Sequence, residues 1–221
     1  MENKTLDDIE TIALDGIESL TNIIFNNEII EKLPVANIIS AIIKTGEIIY
    51  NKNLEKQTIE FIESLNKQEV SEENQKKYKE KVFKNDKKTK EEIERVLLYL
   101  NKNIDIEKSE LLAKFYASYV NQKINWNKFC EYATIINQIF IYDLQTIYDI
   151  YNNDNAREHI YENYKISRLL STGLLSNYSG AISVKELSSG QSGVRNIYEK
   201  NELGELFVKI ATQRETKMLN K

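Results

Sequence analysis

Residues 166–180 read ISRLLSTGLLSNYSG, and the order of elements around this stretch decides the fold. Ile166, Leu169 and Leu170 recur at helical spacing and face a core, while Ser167, Arg168, Ser171 and Thr172 face outward. Gly173 suits the left-handed residue that ends many helices. Upstream, IYDLQTIYDIYNN (141–153) and NAREHIYENY (155–164) are read as two helices. Downstream, AISVKELSSGQSGVRNIYE (181–199) alternates as two strands joined by SSGQSG. Asn201 is a good N-cap for a closing helix with Leu203, Leu206, Phe207 and Ile210 inward. Three helices, a hairpin and a closing helix predict a winged-helix-like domain over 140–221.

Working outward, the rest of the chain reads as helix. TLDDIETIALDGIESLTNIIF (5–25) has helical apolar spacing, and Thr5 with Asp8 approximates a capping box. Pro34 suits a first helical position. Beyond it Val35, Ile38, Ile39, Ile42, Ile43, Ile49 and Tyr50 fall on one apolar arc about 160° wide, broader than a minimal core stripe. The plain reading is a helix buried in an all-α core; the alternative is a segment that leaves the core to lie in a membrane. NLEKQTIEFIESLN (53–66) continues with Leu54, Phe61, Ile62 and Leu65 inward. Residues 74–90 hold eight lysines against two acids, read as a solvated face and connecting loop. TKEEIERVLLYLNK opens with Thr89 and Glu92 at capping-box spacing, and two further amphipathic helices follow over 105–140. The expected fold is therefore mostly α: N-terminal amphipathic helices (1–70), a lysine-rich connector (71–90), central helices (91–139) and the winged-helix-like domain with one β-hairpin (140–221).

Charge bears on partners. Residues 1–65 carry 12 acids and 5 lysines, residues 66–134 carry 12 acids and 15 Lys/Arg, and residues 135–221 carry 10 of each. A DNA-binding domain needs a basic face for phosphate contact. The third helix of the C-terminal part offers only Arg168 as a strong donor, and the wing adds Lys185 and Arg195, offset by Glu186 and Glu199. DNA is the weaker expectation; a protein contact through this helix and through Tyr148, Tyr151 and Tyr161 is the stronger one.

Chemistry-bearing motifs are few. The chain has no GxxxxGK[ST] or GxSxG run. His159 has no partnered nucleophile in the sequence, and Cys130 lies in an apolar helix between Phe129 and Tyr132. One cysteine and one histidine give no Cys/His metal cluster. NQKINWNKF lacks acidic calcium ligands and has Gln122 where the loop needs glycine. Glu91 and Glu92 are read as helix-start acids. No catalytic residue, metal or cofactor is expected. An acidic, polar start and the lack of a run of about 18–20 apolar residues predict a cytoplasmic protein.

RLLSTGLLS (168–176), followed by YEKNELGELFVKI (198–210), resembles the C-terminal signature of the bacterial abortive-infection alpha family. There a leucine-rich L-x-x-G-L-L/I helix precedes Y-x-L-T-x-L-G-x-x-F. Upstream, Leu111, Leu112, Ala113, Phe129, Ile136 and Asp143 occupy places similar to that family's preceding helix pair. The likeness covers roughly residues 110–212, and the family threonine is Asn201 here. It implies a role in phage defence and carries over no catalytic residue. The expected function is non-enzymatic: the C-terminal domain recognises a phage or host protein, the protein assembles as an oligomer, and the Val35–Tyr50 arc then acts on the membrane. A DNA-binding transcriptional regulator and a plain interaction adaptor are the alternatives.

Overall fold

The computed structural model describes residues 35, 39, 42, 52–84, 86–153, 161–177 and 198–213. Among them are eight α-helices, one 3-10 turn and one antiparallel strand pair. They fall into two compact units, one of the described residues up to Asn137 and the other of those within Gln138–Gln213.

In the first unit the helices are α1 (Lys52–Lys67), α2 (Glu72–Lys84), α3 (Asp86–Lys102), α4 (Ile106–Val120) and α5 (Trp126–Gln138). Helix α4 is central because most positions on it are apolar or small. Ser109, Leu111, Leu112, Ala113, Phe115, Tyr116, Ala117, Ser118 and Val120 are all buried, the all-round pattern of a core helix. Helix α1 packs most extensively against it, burying Leu54, Phe61, Ile62 and Leu65 as their spacing predicts. Val35, Ile39 and Ile42, from the wide N-terminal arc, are helical and buried as well. Ile38, Ile43, Ile49 and Tyr50 lie outside the described residues, as do Thr5, Asp8 and Pro34.

A layer of amides and hydroxyls crosses this core. Ser109 Oγ donates to Gln57 Oε1 (2.6 Å) and accepts from Asn103 Nδ2 (3.1 Å). Gln57 Nε2 reaches Ile104 O (3.1 Å), and Asn53 Nδ2 reaches Asn103 O (2.9 Å). Asn137 Nδ2 donates to Asn103 Oδ1 and to Tyr99 O. The first two turns of α1 are thereby tied to the α3–α4 loop, and that loop to the end of α5. Each group finds its partner, so burial costs little.

The lysine-rich 71–90 segment, read as a solvated face and connecting loop, carries helix. It is helical over α2 and again from Asp86, with Tyr78 buried. The expected start of α3 at Thr89 is also displaced. The helix begins at Asp86, Thr89 is buried inside it with its hydroxyl unpaired, and Glu92 is turned inward.

The second unit contains a 3-10 turn (Ile141–Asp143), α6 (Leu144–Asn152), α7 (Asn163–Ser171), β1 (Leu175–Asn177), β2 (Tyr198–Lys200) and α8 (Glu202–Ala211). Gly173 ends α7 at φ +78°, the left-handed stop read from the sequence, and its N–H bonds Leu170 O. The expected helix at 155–164 does not extend through its last residues. Tyr161 and Glu162 are non-helical, and Glu162 is the extended residue that starts α7. Of the predicted 181–199 hairpin, residues 181–197 lie outside the described residues, and the described strand β1 is one the sequence reading did not expect. Chain direction reverses out of Gly173 straight into β1, which pairs Leu175 with Lys200, Ser176 with Glu199 and Asn177 with Tyr198. The SSGQSG segment lies outside the described residues.

Asn201 caps α8 as expected, its side chain accepting from Gly204 N (2.8 Å). Its Nδ2 also donates to Gly173 O and Ser176 Oγ (both 2.9 Å), fastening the base of the strand pair. Phe207 and Ile210 are buried, but Leu203 and Leu206 only half so; Gly204, Val208 and Ala211 complete the inner face. Tyr151 Oη donates to Leu174 O (2.7 Å) and accepts from Asn201 N (2.9 Å). A Cβ at Gly204 would collide with both Tyr151 Oη and Leu174 O.

Helix propensity alone favours Gly204→Ala by about 1 kcal/mol. The collision outweighs it, so this substitution is expected to lower unfolding stability by about 1–3 kcal/mol. Urea unfolding followed by circular dichroism measures the sign; a stabilised variant would show that the Tyr151 contact yields freely.

Candidate functional site

Two polar clusters stand out because each places a charged side chain against aromatic rings. The first joins α2, α3 and α4. Lys81 Nζ donates to Glu92 Oε1 (2.9 Å) and Oε2 (3.0 Å) and also to Tyr119 Oη, while Tyr119 Oη donates to Glu92 Oε2 (2.9 Å). The Glu92 side chain is 4% exposed and that of Lys81 37%. One turn along α4, the Tyr116 and Tyr78 hydroxyls bond each other. Burial raises the pKa of Tyr78, Tyr116 and Tyr119 well above that of a solvated tyrosine. This cluster is internally satisfied, so it holds three helices together and presents no unoccupied reactive group.

The second cluster lies in the C-terminal unit. The 3-10 turn closes through Asp143 N to Phe140 O (2.8 Å) and buries the Asp143 carboxylate. Arg168, one residue before the buried Leu169 of α7, meets it with both arms of its guanidinium, Nε to Oδ2 (2.6 Å) and Nη2 to Oδ1 (2.7 Å). Such a fork is strong and directional. The same guanidinium is 5.0 Å from the ring centroids of both Phe140 and Tyr164, within cation–π range. Tyr142 continues the row, its ring 5.3 Å from that of Phe140. Phe140, Tyr142 and Tyr164 are 50%, 74% and 54% exposed, among the large apolar or aromatic side chains most open to solvent. Glu162 is paired with Lys165 (2.7 Å) and accepts from Tyr164 Oη (2.6 Å); those two bonds hold its carboxyl below its usual pKa.

The sequence-predicted contact residues are mostly not brought together. Arg168 belongs to the aromatic row, but its fork is already taken. Ser171 Oγ donates back to Arg168 O and Thr172 Oγ1 to Leu169 O, so both hydroxyls finish α7. Tyr151 is an internal joint, with its hydroxyl bonded to Leu174 and Asn201. Tyr148 and Tyr161 are half-buried. Lys185, Arg195 and His159 lie outside the described residues. The sequence reading did not choose Phe140, Tyr142 or Tyr164 as contact residues, because they flank helix ends, where periodicity carries no signal. It missed Lys81 and Glu92 because each looks like surface charge.

Lysines on α2 do not make a basic face, since Glu72, Glu73 and Glu80 share its exposed side and Lys77 pairs with Glu73. Cys130 is a free thiol whose pKa burial raises. Among the described residues no group of three His, Cys, Asp or Glu could hold a metal, and no helix is long and apolar enough to cross a membrane. Comparison with protein-family models, curated proteins and solved structures finds no match.

Lys81→Met leaves the Glu92 carboxylate buried without its cation. Because Lys81 is more than one-third exposed, the expected loss is about 1–3 kcal/mol, less than for a fully buried pair. Adding Glu92→Leu should restore most of it; a double variant as weak as the single would show that α2 docks by other means. The tyrosines set a pH limit. Their folded-state pKa values are raised, so the unfolded chain ionises first, near pH 10, and stability present below that pH is lost above it. Unfolding stability should decline from about pH 10 upward, less steeply in Tyr78→Phe; an equal decline in that variant would remove Tyr78 from the account.

Proposed function

We propose that the chain is a non-enzymatic phage-defence protein of the abortive-infection type. Its C-terminal unit is a winged-helix-like module that recognises a phage or host protein, and assembly on that target sets free the apolar N-terminal arc to act on the membrane. The observation that carries protein recognition over DNA is the Arg168–Asp143 fork. The strong phosphate or base donor on α7 is paired with a buried carboxylate and lies 5.0 Å from two ring centroids. DNA binding relies on cations open to phosphates.

Further support comes from the order of α6, α7, the strand pair and α8, with the glycine stop and the Asn201 cap. The likeness over 110–212 supplies the phage-defence context. The effector half draws on the width of the Val35–Tyr50 arc. Val35, Ile39 and Ile42 are buried, so action on a membrane requires them to leave the core. That costs about 1.5–3 kcal/mol per side chain, which differential binding to the target has to supply.

Bacteria expressing the chain are expected to restrict a phage panel by plating efficiency and to admit propidium before the normal time of phage lysis. Protection with sealed membranes would remove the membrane step. Purified protein is expected to show no salt-dependent affinity for duplex DNA; binding that weakens with salt and with Arg168→Ala would favour the regulator instead.

A further inference from the structure

The row Tyr142–Phe140–Arg168–Tyr164 has three properties that together select a partner. It is exposed, since its rings are 50–74% accessible. Its centre is held, because the Asp143 fork and the two ring contacts fix the Arg168 guanidinium, so little of that side chain's entropy remains to be lost on binding. It is also electrically closed. Arg168 is matched by Asp143, and Glu162 by Lys165 and Tyr164. A phosphate, an acidic peptide or an anionic lipid surface would find no unmatched cation in the row, and a basic segment no unmatched carboxylate.

Two polar groups on it stay unused among the described residues. The fork employs Arg168 Nε and Nη2 and leaves Nη1 without an acceptor, and the Tyr142 hydroxyl has no hydrogen-bond partner. A donor in the middle of an aromatic row calls for a neutral acceptor in the middle of its partner. The backbone carbonyl of an extended peptide is that group. Neighbouring ring and guanidinium centres lie 5.0–5.3 Å apart, about one and a half residues of extended chain at about 3.3 Å each.

We propose that this row is a docking site for a short, extended, uncharged peptide segment of a partner protein. Proline or aromatic side chains at two of its positions lie on the Phe140–Tyr142 rings and on the Tyr164 ring, and an intervening backbone carbonyl accepts from Arg168 Nη1. Aromatic-lined surfaces receive extended peptides in this way. The assignment rests on the protein-recognition reading above and names the surface and the class of segment it takes.

The test selects yeast-displayed random nonapeptides on the full-length chain. Expected is enrichment of uncharged peptides carrying two proline or aromatic positions. For the best of them, Tyr142→Ala and Tyr164→Ala should each weaken binding at least about tenfold. Both positions are exposed, and unchanged thermal unfolding of the variants establishes that they fold. Enrichment of acidic or basic peptides, or binding indifferent to both substitutions, overturns the proposal. So does the absence of any enriched peptide, and if phage restriction persists in that case the defence reading survives without this surface. Peptide binding lost in both variants, with no restriction by the wild-type chain, upholds the surface and removes the defence reading.

Discussion

Tyr116 is the point through which the first unit is organised. Its ring is fully buried and meets Phe61 from α1, Tyr78 from α2, Phe129 from α5 and Tyr119 from its own helix, with centroids 5.4–6.3 Å apart. The edge-on geometry of these pairs suits the ring quadrupole. A buried phenol also needs a partner for its hydroxyl, since an unpaired one is costly. Tyr78 is that partner, so α2 has to dock. Docking in turn brings Lys81, one turn further along α2, to the carboxylate that α3 carries inward. The position of one hydroxyl thus reaches the charge pairing of three helices.

Helix positions were legible wherever apolar spacing was strong. Leu54, Phe61, Ile62 and Leu65 predicted the inner face of α1, and Gly173 and Asn201 predicted the stop of α7 and the cap of α8. Polar residues with distant partners were not legible. Thr89 and Glu92 fit a local capping box, but Lys81 and Tyr119 offer the carboxylate stronger bonds from other helices, and the helix starts earlier. Arg168 read as an open donor because Asp143 lies 25 residues away, where no spacing rule reaches. Strand β1 was not legible for a related reason. Alternation was sought where residues alternate best, whereas β1 is set by the Gly173 turn and by Asn201 binding Ser176.

The resemblance read in the sequence bears a physical interpretation. Leu111, Leu112, Ala113, Phe129, Ile136 and Asp143, the upstream positions that carry it, are all buried. Five of them are apolar packing positions. Asp143 differs in that its carboxylate fixes Arg168 and hence the neighbouring rings. The positions read as a resemblance are thus core positions of this fold, whereas Phe140, Tyr142 and Tyr164 are exposed.

The amide layer at the start of α1 has a mechanical consequence. Asn53 and Gln57 tie the first two turns of that helix to the backbone carbonyls of Asn103 and Ile104. Any pull on the chain ahead of Lys52 meets this clamp before it reaches Phe61 and the aromatic centre. Tension arriving at Asn53 from the N-terminal side therefore loads these two bonds before the contacts of Phe61.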